Sequence, residues 1–84
     1  MTTTTVTEPL KGSEASAKHL KSAAHHYEKA AAHFREAAKR EAKGHDHSAD
    51  HEILVGSAHA VRARIDADEA VKHLVADLAA GEIS

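Results

Sequence analysis

From Ala17 to Ala38 apolar residues return at alternating steps of three and four: Ala17, Leu20, Ala24, Tyr27, Ala31, Phe34 and Ala38. That period belongs to a helix that packs along a heptad seam, and Ala23, Ala30 and Ala37 widen the stripe. One large side chain per heptad alternates with alanine, so a partner helix approaches closely at the alanines while Leu20, Tyr27 and Phe34 act as knobs. Buried in such a seam, Phe34 is worth about 3–5 kcal/mol against alanine. The wider composition agrees. Alanine makes up nearly a quarter of the 84 residues, aromatics make up 2 %, and there is one proline, so residues that favour strands are too sparse for a β fold. The fold class predicted is all-α.

Chain punctuation divides the sequence. The threonine run ending at Glu8 and Pro9 forms helix poorly, which predicts a disordered tail over residues 1–12 and a hairpin domain over residues 13–84. Ser13 can cap a first helix over residues 13–43, because its hydroxyl accepts from an unpaired backbone N–H of the first turn. Gly44 is expected as its left-handed terminator, behind Lys39, Arg40 and Lys43, whose charges suit a helix C-terminus. Residues 44–47 form the turn, Asp46 or Ser48 caps a second helix over residues 48–80, and Gly81 ends it.

The second helix carries two apolar stripes. Leu54, Ala58, Val61 and Ile65 form the first; Val71, Leu74, Val75 and Leu78 form a later one, rotated about the axis. Between them Asp66 and Glu69 have capping-box spacing, so a break there is the alternative to a continuous helix. Residues 13–43 carry seven basic and four acidic groups, net +3, and residues 44–84 three basic and eight acidic, net −5. Opposite charge and a short connection predict an antiparallel hairpin. Too few large apolar residues are present to bury a core in one chain, so two hairpins are expected to pair as a homodimeric four-helix bundle.

Several function classes fall away. A formal charge of −2, from 11 basic and 13 acidic side chains, gives no bulk attraction for nucleic acid, and Tyr27 and Phe34 belong to the seam. There is no cysteine, hence no thiolate site or thiol nucleophile. The glycines are single, so no phosphate cradle is present, and no Glu-x-x-His pair marks a di-iron bundle. Ser57 and His59 are too close on one helix to act as nucleophile and base. The chain is not expected to be an enzyme. Its opening stretch, MTTTTVTEPL, has neither a basic region nor an apolar run, which predicts no membrane span and a cytoplasmic protein.

Nine histidines are the unusual count. His19, His26 and His33 lie seven apart on the first helix, and His59, Asp66 and His73 repeat that spacing on the second. Seven residues rise about 10.5 Å, too far for two imidazoles of one line to share an ion, so any chelation must run between helices. A turn centred near Asp46 would set His19 level with His73, His26 with Asp66, and His33 with His59. Such pairs suit Zn, Cu(II), Ni or Co. A second candidate lies at the turn, where His47 and His51 have the i, i+4 spacing that lets two imidazoles share an ion, beside Asp50 and His45. The bland alternative is that all these groups are solvated and the hairpin is a metal-free structural or interaction module. Full protonation of the histidines would carry the charge from −2 to +7, which makes a pH-responsive assembly a further expectation.

The stretch HHYEKAAAHFREAAKREAKGHDHSADHE, His25 to Glu52 and about a third of the chain, resembles the histidine- and alanine-rich helices of the bacterial small metal-binding protein family. His25, His26 and His33 match the helical histidines of that pattern, Gly44 the turn, and His47 and His51 the histidines that follow. The resemblance implies a small helical bundle that binds several divalent or copper ions and buffers or sequesters them.

Overall fold

The computed structural model describes the backbone of residues 2–83 and the side chains of residues 14–81. Within them the chain is an antiparallel hairpin of two α-helices, α1 (Thr2–Ala42) and α2 (Asp46–Ile83), with no strand among the described residues. α1 is helical from Thr2, ahead of the start expected at Ser13. The expected tail, residues 1–12, and the Ser13 cap lie outside the residues whose side chains are described.

The turn is tighter than expected. Gly44 takes φ 78°, a left-handed conformation that costs glycine little. The His45 amide donates to the Arg40 carbonyl at 2.8 Å and the Gly44 amide to the Glu41 carbonyl at 2.9 Å, the paired bonds of a Schellman terminus. α2 begins at once. The His45 carbonyl accepts from the Ala49 amide at 2.9 Å, and this places His45, and neither Asp46 nor Ser48, at the capping position. Asp46 stands in the first turn of α2, where its charge suits the positive end of the helix. α2 then runs unbroken through Ile65–Ala70 and passes Gly81 to Ile83. Asp66 and Glu69 start no new helix.

The helices do not meet on the stripe that the large apolar residues mark. They meet on alanine: Ala23, Ala30 and Ala37 of α1 are 5 %, 3 % and 3 % exposed, and Ala49, Ala63 and Ala70 of α2 are 0 %, 0 % and 5 % exposed. Gly56 is buried in the same line. The stripe expected as the seam lies beside it, with Leu20, Tyr27 and Phe34 at 54 %, 46 % and 41 % exposure, and the two stripes of α2 are likewise exposed.

Size explains this. Two helices approach most closely where both present a methyl group or less, and a leucine or phenylalanine on the contact line would hold the axes apart. Gly56 shows the limit. A Cβ there would stand 2.8 Å from Phe34 Cε1 and 3.3 Å from the Ala30 carbonyl oxygen. The hairpin measures 64 × 21 × 13 Å, so its shortest dimension is a single helix.

Candidate functional site in the helix seam

Each buried alanine or glycine is followed three residues later, on the same side, by a polar group. On α1 the order is Ala23, His26, Ala30, His33, Ala37, Arg40, with His19 preceding. On α2 it is Ala49, Glu52, Gly56, His59, Ala63, Asp66, Ala70, His73. Both are heptad repeats, and the positions next to the tiny ones are ionisable along the whole contact. The line His19, His26 and His33 is therefore half of the helix–helix seam.

The two lines interdigitate like a zip. The His19 ring stacks near His73, centroids 6.0 Å apart, and its Nδ1 donates to Asp66 Oδ1 at 3.0 Å. Ser22 donates to the other Asp66 oxygen. His26 and His59 bring their Nδ1 atoms to 2.9 Å, with ring centroids 5.1 Å apart. The His33 ring lies parallel to His59 at 5.7 Å and donates from Nδ1 to Glu52 Oε1 at 2.6 Å. Glu52 Oε2 meets Arg40 Nη1 at 3.2 Å, and the same guanidinium donates to Ser48 Oγ at 2.6 Å.

Two of the three levels expected from a turn at Asp46 are present as ring contacts. His19 does lie against His73, and His33 against His59. His26 bonds His59 rather than Asp66, while Asp66 takes its bonds from His19 and Ser22, one turn-pair lower. His19 falls between Asp66 and His73, and His33 between Glu52 and His59, because the side chains alternate along the seam instead of standing opposite.

Electrostatics follow from these contacts. The His33 hydrogen bond, then the Arg40 charge, hold the Glu52 carboxyl below the usual carboxylate range. Bonds from Ser22 and then His19 do the same for Asp66. His59 moves the other way for a base: burial, and then the neighbouring His26 and His33, disfavour its proton and lower its pKa.

The turn candidates fare differently. His45, His47, Asp50 and His51 are all exposed. Among the described residues no three His, Asp or Glu side chains converge on one point, at the turn or in the seam. His25 stays exposed with its ring edge-on to His26 at 5.2 Å. Glu52, Ser22 and Arg40 are seam members that the histidine spacing alone does not pick out. Glu52 had a signal, since it lies seven residues before His59 and completes the line 52, 59, 66, 73.

No helix among the described residues is long and apolar enough to cross a membrane. No protein-family model, curated protein or solved structure matches the chain. What defines it is its own construction: an antiparallel helical hairpin whose contact line is built of alanine, glycine and paired ionisable side chains.

Proposed function

We propose that this chain is a binding protein, not a catalyst, that takes up divalent transition-metal ions on the helix seam and so buffers or sequesters them, with the cytoplasm as its setting. The observation that carries the reading is the approach of His26 Nδ1 to His59 Nδ1 at 2.9 Å. At that distance one Nδ1–H donates to the lone pair of the other imidazole in the metal-free protein, and a metal ion can take the place of that proton. A metal held at about 2.0–2.1 Å from each nitrogen needs them about 3.3 Å apart, a widening of a few tenths of an ångström. His33, whose ring lies parallel to that of His59 with centroids 5.7 Å apart, is the next imidazole along the seam. The bound ions that nitrogen donors suit are Zn, Cu(II) and Ni.

Calorimetric titration of untagged protein with each ion tests this. Replacing His26 and His59 together by alanine is expected to weaken the tightest site by at least about tenfold, as loss of metal ligands or their supports does. Replacing His47 and His51 should leave that site intact. Unchanged binding in the seam variant, with helicity retained, overturns the assignment. A metal-free role as a helix-association module is the second reading, favoured by the exposed Leu20, Tyr27, Phe34 and Leu74; absence of any binding in the titration would leave that one standing.

A further inference from the structure

The ribbon has two unlike faces. On α1, Leu20, Tyr27 and Phe34 each follow a seam histidine by one residue; on α2, Ile53, Ala60, Ala67 and Leu74 each follow a seam polar group by one. Helices of the same hand running in opposite directions turn these successors to the same side of the ribbon. Two contacts agree. An apolar hollow is lined jointly by Ser16 and Leu20 of α1 and by Ala67, Ala70, Val71 and Leu74 of α2, and the Phe34 ring lies over Gly56. The opposite face, three residues after each seam polar group, mixes Lys29, Glu36, Lys43, Arg62 and Glu69 with Val55.

We propose that a second copy of this chain covers the apolar face, with each α1 lying along the partner's α2, so that two single-layer hairpins become one two-layer four-helix bundle. Three observations select this occupant. First, the chain has an accessible surface of 6280 Å², against about 4,800 Å² expected for a compact protein of 8.9 kDa. The excess of about 1,500 Å² is spread over the whole elongated chain, and it leaves room for the roughly 800 Å² that one partner gives to a standard interface.

Second, charge selects the pairing. Residues 13–43 are net +3 and residues 44–84 net −5, so stacking α1 on the partner's α2 sets unlike charge against unlike, whereas α1 on α1 sets like against like. With the twofold axis along the bundle, every neighbouring pair of helices is then antiparallel and oppositely charged. Third, sizes are complementary level by level. Tyr27 stands at the level of Ala60 and Ala67, which leave room for it, while Leu20 meets Val71 and Leu74 at the open end and Phe34 meets Ile53 near the turn. The row Leu54, Val61 and Ile65, on the far side of α2, stays outside this interface.

The pairing is independent of metal uptake, so its test is run in chelator. Sedimentation equilibrium of the full chain at about 100 μM is expected to give a dimer, and Tyr27→Glu, at a half-exposed position that leaves the hairpin intact, is expected to raise the dissociation constant at least about tenfold, as unpaired charge in an apolar interface does. A monomer at that concentration overturns the inference, whatever the titration with metal shows. The arrangement is tested in this cysteine-free chain by single substitutions. Ala24→Cys and Ala67→Cys chains, refolded together, should form a disulfide between them, and neither should do so alone. A disulfide in Tyr27→Cys alone would place α1 on α1 and overturn the pairing.

Discussion

α1 carries two heptad stripes side by side, and the hairpin uses the less hydrophobic one. The stripe through Leu20, Tyr27 and Phe34 has the larger apolar area, yet those side chains keep 41–54 % of their surface exposed. The stripe through Ala23, Ala30 and Ala37, with histidine at every other position, is the one α2 covers. Apolar area alone does not choose a helix partner. The partner must offer a matching profile, and α2 matches the second stripe at every heptad: Ala49, Gly56, Ala63 and Ala70 for contact, with Glu52, His59, Asp66 and His73 for the polar groups. No comparable run faces the first stripe from within the chain. Dispersion between close backbones and hydrogen bonds between satisfied partners hold the seam, and the larger hydrophobic gain is left for another surface.

This contrast is most easily broken at Ala63, which is 0 % exposed in the centre of the seam. Ala63→Leu adds apolar volume, and if hydrophobicity governed the contact it would stabilise. The expected result is a loss of about 3 kcal/mol in urea unfolding, because the seam has no room and the backbones must part. Next comes Phe34→Ala. A fully buried ring would cost about 3–5 kcal/mol, but a side chain that is 41 % exposed keeps much of its contact with water in both states. About 1–2 kcal/mol is expected for the hairpin at concentrations too low for association, with a larger loss when it is associated. Equal losses at low and high concentration would break the distinction between the two stripes.

Gly56→Ala sharpens the same point at smaller scale. The new methyl meets the Phe34 ring, and the Ala30 carbonyl must give by a few tenths of an ångström, which opposes a gain in helix propensity of about 1 kcal/mol. In the Phe34→Ala background the ring is gone and only the carbonyl contact resists. Coupling of about 1 kcal/mol between the two substitutions is therefore expected in a double-mutant cycle, and strict additivity would show that ring and glycine do not share a space.

The hairpin itself was legible in the sequence because its signals are local. Gly44 marks the turn through its left-handed backbone, and the 3–4 period marks both helices. The choice of face was not legible in the same way. Two heptad stripes one residue apart on α1 satisfy the same period, and hydrophobicity favoured Leu20, Tyr27 and Phe34. Only the α2 sequence decides between them, through the buried Gly56 and Ala63, and that requires the register. The histidine and aspartate lines were visible as seven-residue spacings, and all six of their members lie in the seam. Their exact neighbours were not, since a turn shorter than the expected 44–47 and the interdigitation of side chains set who meets whom. The i, i+4 histidines of the turn show the opposite failure. His47 and His51 have ligand spacing but stay exposed, because the residues that face α1 are their successors Ser48 and Glu52, both met by Arg40, and no third donor converges on them.

The smallest expected effect is the response of the metal-free hairpin to acid, small because these groups are partly open to solvent and salt screens them. His59 faces His26, His33, His25 and Lys29 from α1, and burial together with those neighbours lowers its pKa in the folded chain. The unfolded chain takes that proton near the ordinary 6.5, so the contribution of His59 to stability is complete above that pH and declines as pH falls from 6.5 toward the lower folded value. Glu52 and Asp66 also have lowered values, from ordinary values of 4.5 and 3.8. Their contribution is present above those values and is lost only as pH falls below them, toward the folded ones. Acid therefore destabilises in two separate windows, one imidazole and one carboxylate. Urea midpoints taken from pH 8 to pH 3 in chelator should show both, and the difference between wild type and His59→Gln should be confined to the upper window. A difference that instead appears below pH 4.5 would assign the lowered proton affinity to the carboxylates alone, and would take His59 out of the polar half of the seam that the alanine line creates.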